Sequence, residues 1–237
     1  MKKLTILILL LGTGYASAAE FSGNVTLATD YRFRGISQLD RSPALQGGFD
    51  VATESGFYVG VWGSNVNFSE GALELDVYGG FAADINDNLS YDVGLLYYGY
   101  PHSGTSGNPE FAYYEVYGSF SFYGATLGLN YSPDYFAESD KFYYVYGQYS
   151  LPIGDNFSID FHAALNQFDS KDAAFNKFGI GSGSDDSYVD YSVTFASSFG
   201  GFDFALAFID TNLNDDECFG GSKICEATGV FSVSKSL

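Results

Sequence analysis

Residues 21–34 read FSGNVTLATDYRFR. One alternating set is Phe21, Gly23, Val25, Leu27, Thr29, Tyr31 and Phe33, and the other is Ser22, Asn24, Thr26, Ala28, Asp30, Arg32 and Arg34. Successive residues of a β-strand point to opposite faces, so a strand here has one apolar side and one polar side. A soluble sandwich can carry the same alternation. In this chain it recurs about a dozen times, is rich in aromatics and follows an export-type leader, a combination that predicts a transmembrane antiparallel up-and-down β-barrel with lipid outside and water inside.

The leader is read from Lys2 and Lys3, the apolar run 4–11 and the A-x-A triplet Ala16-Ser17-Ala18. That run is too short to span a bilayer as a helix and suits a cleavable signal peptide over 1–18, with the barrel over 19–237. The competing reading is a buried N-terminal helix. No cysteine follows the cleavage site, which argues against a lipoprotein.

The predicted strands are 21–34, 43–54, 57–67, 72–85, 89–100, 111–122, 125–132, 141–151, 157–168, 187–199, 202–211 and 224–236, near the ~9–11 residues that a tilted spanning strand needs. Links 55–56, 86–88, 123–124, 152–156 and 200–201 are short. Links 35–42, 68–71, 101–110, 133–140, 169–186 and 212–223 are mostly longer and polar, with 68–71 the weak member. Short periplasmic turns alternating with longer outer loops are the habit of bacterial outer-membrane barrels. Charge-free apolar faces follow, such as Leu73, Leu75, Val77, Phe81 and Ile85, or Phe202, Phe204, Leu206 and Phe208. Strand 57–67 is ambiguous, because Phe57, Val59 and Val61 compete with Tyr58, Trp62 and Val66 for the lipid face. Lys235 interrupts the apolar face of the last strand.

The segments ATDYRFRGIS (28–37), PALQGGFD (43–50), GFYVGVWGSNV (56–66), AYYEVYGS (112–119) and FSVSKSL (231–237) resemble the TorF-type porins, proteobacterial outer-membrane proteins of unknown function. The resemblance covers essentially the whole mature chain. It implies an outer-membrane barrel of unestablished substrate. The terminal Leu237 stands where phenylalanine is expected.

The formal net charge is −19, and removal of Lys2 and Lys3 with the leader makes it about −21, which argues against nucleic acid as a partner. The candidate pore-lining acids are Asp30, Asp50, Glu74, Asp76, Asp92, Glu115, Asp160 and Asp190, with Glu54, Asp84, Asp203 and His162 on the same predicted face. Rings of carboxylates in a lumen favour cations. Arg32 and Arg34 are read as a local constriction near the outer mouth, or as braces paired with Glu54 or Glu74. Tyr98, Tyr113, Tyr117, Tyr144 and Tyr146, with Tyr78 and Tyr100, are read either as a stacking lumen for small solutes or as interfacial belt, the belt taking about half of them. Cys218 and Cys225, the only cysteines, are expected to clip one polar loop with a disulfide.

No cofactor or metal motif is present, and FGIGSG (178–183) lacks the following helix that a nucleotide site needs. The expectation is passive passage of small neutral or cationic solutes, with outer-membrane lipid, lipopolysaccharide and the assembly machinery as partners. The alternatives are a closed structural or adhesive barrel acting through its outer loops, and a lipid-modifying enzyme built on His102 with Ser103 or Ser106.

Overall fold

The computed structural model describes residues 19–68, 71–101, 103–104, 109–183 and 185–237. The leader reading falls outside them, as do His102 and Ser106.

Twelve strands form the wall: β1 (Ala19–Ala28), β4 (Ala44–Thr53), β5 (Phe57–Phe68), β6 (Gly71–Asn86), β7 (Leu89–Gly99), β8 (Tyr113–Phe122), β9 (Ala125–Ser132), β10 (Phe142–Ile153), β11 (Phe157–Phe168), β12 (Ser187–Phe199), β13 (Phe202–Thr211) and β14 (Thr228–Ser236). Two short strands between β1 and β4, named β2 (Arg32–Phe33) and β3 (Ile36–Ser37), pair only with each other. Each wall strand pairs antiparallel with its sequence neighbours, and β1 pairs with both β4 and β14, closing the barrel. Closure leaves no unpaired edge, the condition for a sheet to sit in hydrocarbon.

The alternation holds around the wall. Phe21, Leu27, Leu73, Leu75, Val77, Leu127, Leu129, Phe195 and Leu206 all face outward. In β5 the ambiguity resolves in favour of Phe57, Val59 and Val61 outside, with Val66 buried within. Lys235 extends along the outer face to the turn between β12 and β13, where Nζ donates to the Gly201 carbonyl at 2.7 Å and lies over the Phe202 ring. A lysine near a membrane boundary is tolerated in this way, its stem covering apolar surface and its head reaching polar atoms.

The first predicted strand needs correction. It leaves the wall after Ala28, not Arg34. Residues 29–39 fold into the barrel instead, 40–43 lead back to the wall, and the β2–β3 hairpin reverses at Arg34 and Gly35, both with positive φ (51° and 81°). The alternation continues through Tyr31 and Phe33, but their apolar partners are rings inside the barrel: Tyr31 meets Trp62 and Phe33 meets Tyr98 edge to face.

Some inner-face tyrosines of the wall lie across from glycines. Four cross-strand pairs have this form: Tyr78 with Gly60, Tyr58 with Gly80, Tyr117 with Gly94, and Tyr146 with Gly128. At each of these glycines an added Cβ would overlap the facing phenol. The ring lies flat over its neighbour's bare backbone, a device that covers strand glycines.

The Cys218–Cys225 disulfide forms in the last outer loop, with a Cα–Cα distance of 6.0 Å. It holds the segment that joins the preceding loop through the Ile180–Cys218 bridge, Gly181 N–H to the Glu217 carbonyl (2.7 Å) and Phe219 N–H to the Gly179 carbonyl (2.9 Å). Reduction is expected to cost about 2–3 kcal/mol in the loop-entropy account. Limited proteolysis of the folded barrel checks it: reduction should open cleavage within 212–227 while the strands stay intact. Equal protection with and without reductant would refute a clamping role.

Candidate functional site: the inner hairpin and its seat

The hairpin crosses the interior. Arg34 Nη2 reaches both carboxylate oxygens of Glu115 on β8 at 2.7 and 2.9 Å. Strand β8 lies five places from β1 around the twelve-strand wall, so this pair nearly spans the barrel. Asn130 (2.8 Å) and Tyr98 (3.2 Å) also donate to Glu115, which is 0% exposed. The guanidinium sits within 4.3–5.4 Å of the ring centres of Phe33, Tyr135, Phe142 and Tyr144. Burial lowers the Arg34 pKa, but Glu115 together with Tyr135, Tyr98 and Tyr113 more than offsets it and holds it above its ordinary value.

Arg32 is fixed locally. Nε donates to Asp30 at 2.6 Å, and Nη1 donates to the carbonyls of Gly35, Ile224 and Glu226. Ser37 donates to the other oxygen of Asp30 at 2.6 Å, and Tyr31 donates to Glu74 at 2.8 Å. Arg41 pairs with Glu226 at 2.8 Å, tying the hairpin to the last outer loop.

These contacts place the sequence candidates in two groups. Asp30, Arg34, Glu74, Asp76, Glu115, Asp190, Tyr98 and Tyr113 are inside the barrel but buried, and the Arg32 side chain is 1% exposed. They hold the hairpin and do not face an open lumen. The partner of Arg34 is Glu115, neither Glu54 nor Glu74, because the arginine rides on a segment that has left the wall. Tyr100 is buried too, and Tyr78, Tyr117, Tyr144 and Tyr146 lie partly exposed on the inner face. Tyr97, Tyr114 and Tyr149 are exposed on the outer face of the wall.

The second group lies below the hairpin. Asp50, Asp92, Asp160, Tyr117, Tyr144 and Tyr146 are partly exposed on the inner wall. Asp50 accepts from Tyr78, Asp92 from Tyr58, and Asp160 from Ser158 (3.0 Å) and Ser150. His162 lies between Tyr144 (2.8 Å) and Asp190 (3.2 Å), and Asn166 donates to Asp190 at 2.6 Å. Cavities of about 360 and 350 Å³ open here, one lined by Gln148, Asp160 and His162 and the other by Asp84, Asp92 and Ser119. Among the described residues no lysine or arginine pairs with Asp50, Asp92 or Asp160.

Sequence reasoning missed the aromatic residues that seat the hairpin from above, among them Phe111, Tyr135, Phe136 and Phe178 in or beside the outer links. Aromatics in links otherwise read as polar loops are the signal that would have found them. Burial pushes the phenol of Tyr135, in the outer loop 133–141, up to about 12. The enzyme reading gains no second member from Ser103, whose hydroxyl donates to the Tyr100 carbonyl (2.9 Å) and accepts from Phe111 N–H (3.3 Å). Among the described residues no cluster of His, Cys, Asp or Glu is arranged to hold a metal ion.

A model of a bacterial protein family of unknown function (Gcw_chp) matches residues 13–237, so the chain belongs to that family. Among solved structures it is similar to the KdgM porin, with 10% identity, a TM-score of 0.56, and 91% of this chain and 97% of that one covered. It is also similar to the NanC porin, at 10% identity and a TM-score of 0.53, with 90% and 97% covered. A KdgM porin in complex with disordered oligogalacturonate gives 9% identity and a TM-score of 0.54, with 92% and 98% covered. At such identities the likeness establishes the barrel fold alone. No curated protein matches the chain.

Proposed function

We propose that this member of the Gcw_chp family is an outer-membrane channel through which small neutral or cationic solutes diffuse, with the inner hairpin as its constriction. The observation that carries the reading is the inner wall below the hairpin. It is polar and water-accessible, and it bears Asp50, Asp92 and Asp160 with hydroxyl donors but no paired cation among the described residues. Carboxylates so placed set a negative potential in a narrow lumen and favour cations.

The apolar outer face supports a place in lipid, reached by export through a cleaved leader, with lipopolysaccharide and the assembly machinery as partners. The TorF-type resemblance belongs to the same reading. Oligogalacturonate, the ligand of one KdgM structure, is a chain of carboxylate sugars, and the acidic wall argues against carrying it over to this chain. A specific observation favours a second reading: the outer part of the interior is filled by side chains, as in a closed barrel acting through its loops.

Single-channel recording in a planar bilayer under a potassium chloride gradient separates the two. The channel reading expects discrete steps with a cation-selective reversal potential, and Asp92→Asn with Asp160→Asn should bring that potential toward zero. A barrel that inserts and stays silent would support the closed reading. Asp76 and Glu115 are poorer probes, since both are buried in the seat of the hairpin.

A further inference from the structure

A cavity of about 310 Å³ lies above the hairpin, at the outer end of the barrel. Its wall is made by Phe33 and Ile36 of the hairpin, Phe68 of β5, and Phe111, Phe136 and Phe178 from three outer loops. Phe111 and Phe136 are stacked, with centroids 4.7 Å apart and planes inclined by 19°. Among the described residues, Ser37, Gln38 and Asn67 add the only polar side chains besides tyrosine phenols, and no lining residue is charged.

Three features set the chemistry. The volume is about twice that of the ~150 Å³ apolar cavities that take up a benzene ring. Parallel and edge-on rings already present suit a further ring, which prefers offset or T-shaped contact. A charged ligand would be stripped of water with no opposite charge on the wall, which is costly. In a chain of net charge −19, a wall whose described residues are all uncharged disfavours ions.

We propose that this cavity binds an uncharged planar aromatic compound entering from the outer side. Pockets of about 300–1,000 Å³ with mostly apolar walls and a few polar groups are the usual form of small-molecule sites. The ligand stacks beside Phe111 and Phe136 and directs one hydrogen-bonding group toward Gln38 or Asn67. It rests directly on Phe33 and Ile36, so its binding also loads the hairpin. Binding here does not depend on conduction, and it holds for a channel or a closed barrel.

The test is ¹⁹F NMR of 5-fluoroindole with the purified barrel in lipid nanodiscs, with empty nanodiscs subtracted. Saturable one-to-one binding is expected, with 5-fluorotryptamine and 5-fluoroindole-3-acetate bound at least tenfold more weakly. Gln38→Trp, which fills the cavity from its edge, should weaken 5-fluoroindole at least tenfold. Phe219→Ala, which opens the rim in the last loop, is a second variant of milder effect on folding. Heat-modifiable gel mobility confirms that each variant is folded. No saturable signal, equal binding of the charged analogues, or undiminished binding in a folded Gln38→Trp barrel would each overturn the site.

Discussion

An Arg34→Ala barrel is expected to lose about 3–5 kcal/mol of stability and to conduct in larger or longer steps than the parent. The cost follows from what remains. Glu115 would stay fully buried, with only Asn130 and Tyr98 as donors, both neutral. Removing one partner of a buried pair strands the other charge in low dielectric, which is worse than never having had the pair. The four rings around the guanidinium would also lose the cation they enclose.

The conductance effect follows from the position of the pair. Arg34 is the reach of the hairpin to the far wall, and without it the hairpin keeps local ties: Arg32 to Asp30, Tyr31 to Glu74, and the Tyr188 hydroxyl to the Arg34 carbonyl at 3.0 Å. Trp62, the single tryptophan, packs on Tyr31 at 5.5 Å, so its emission reports whether the hairpin stays seated. The double variant Arg34→Met with Glu115→Leu removes both charges and should recover most of the lost stability. Urea unfolding in vesicles, Trp62 emission and bilayer recording together decide the matter. A single variant as stable and as quiet as the parent would show that the ion pair does not hold the constriction.

Gly60→Val and Gly128→Val are expected to destabilise the barrel by about 1–3 kcal/mol, although valine is the better strand former. Strand propensity alone predicts the opposite sign. At both positions the space above the glycine is taken by the facing ring, Tyr78 or Tyr146. A valine at 60 must push Tyr78 off Asp50, and a valine at 128 must lift Tyr146 into the lumen. Gly60→Val combined with Tyr78→Ala should recover much of the loss, because the clash with the ring is then gone and only the end of the Asp50 side chain must move. Urea midpoints of the two singles and the double give the answer, and a Gly60→Val barrel more stable than the parent would sink the explanation.

The wall was legible in the sequence because lipid and water impose opposite demands on successive residues. Leu73, Leu75, Val77, Phe202 and Leu206 could be placed without knowing any partner. The inward course of residues 29–39 was not, because Tyr31 and Phe33 keep the same alternation when their surroundings change from lipid to buried rings. The Arg34–Gly35 reversal depends on two backbone angles that leave no mark on hydropathy. Glu115 could be assigned to the inner face, but its partner stands 81 residues away and arrives there only through the hairpin. The tyrosine–glycine pairs required the register, which single-strand patterns do not contain.

The wall closes between β1 and β14, down to the Leu237 N–H donating to the Gly23 carbonyl at 2.9 Å. The ring is therefore sealed by the pairing of β14 with β1. A chain cut short before β14 would present two rows of bare amides and carbonyls to hydrocarbon, each unsatisfied group costing several kcal/mol. One strand thus completes two seams at once, and a barrel that lacks β14 loses its closure as a whole rather than one edge of it.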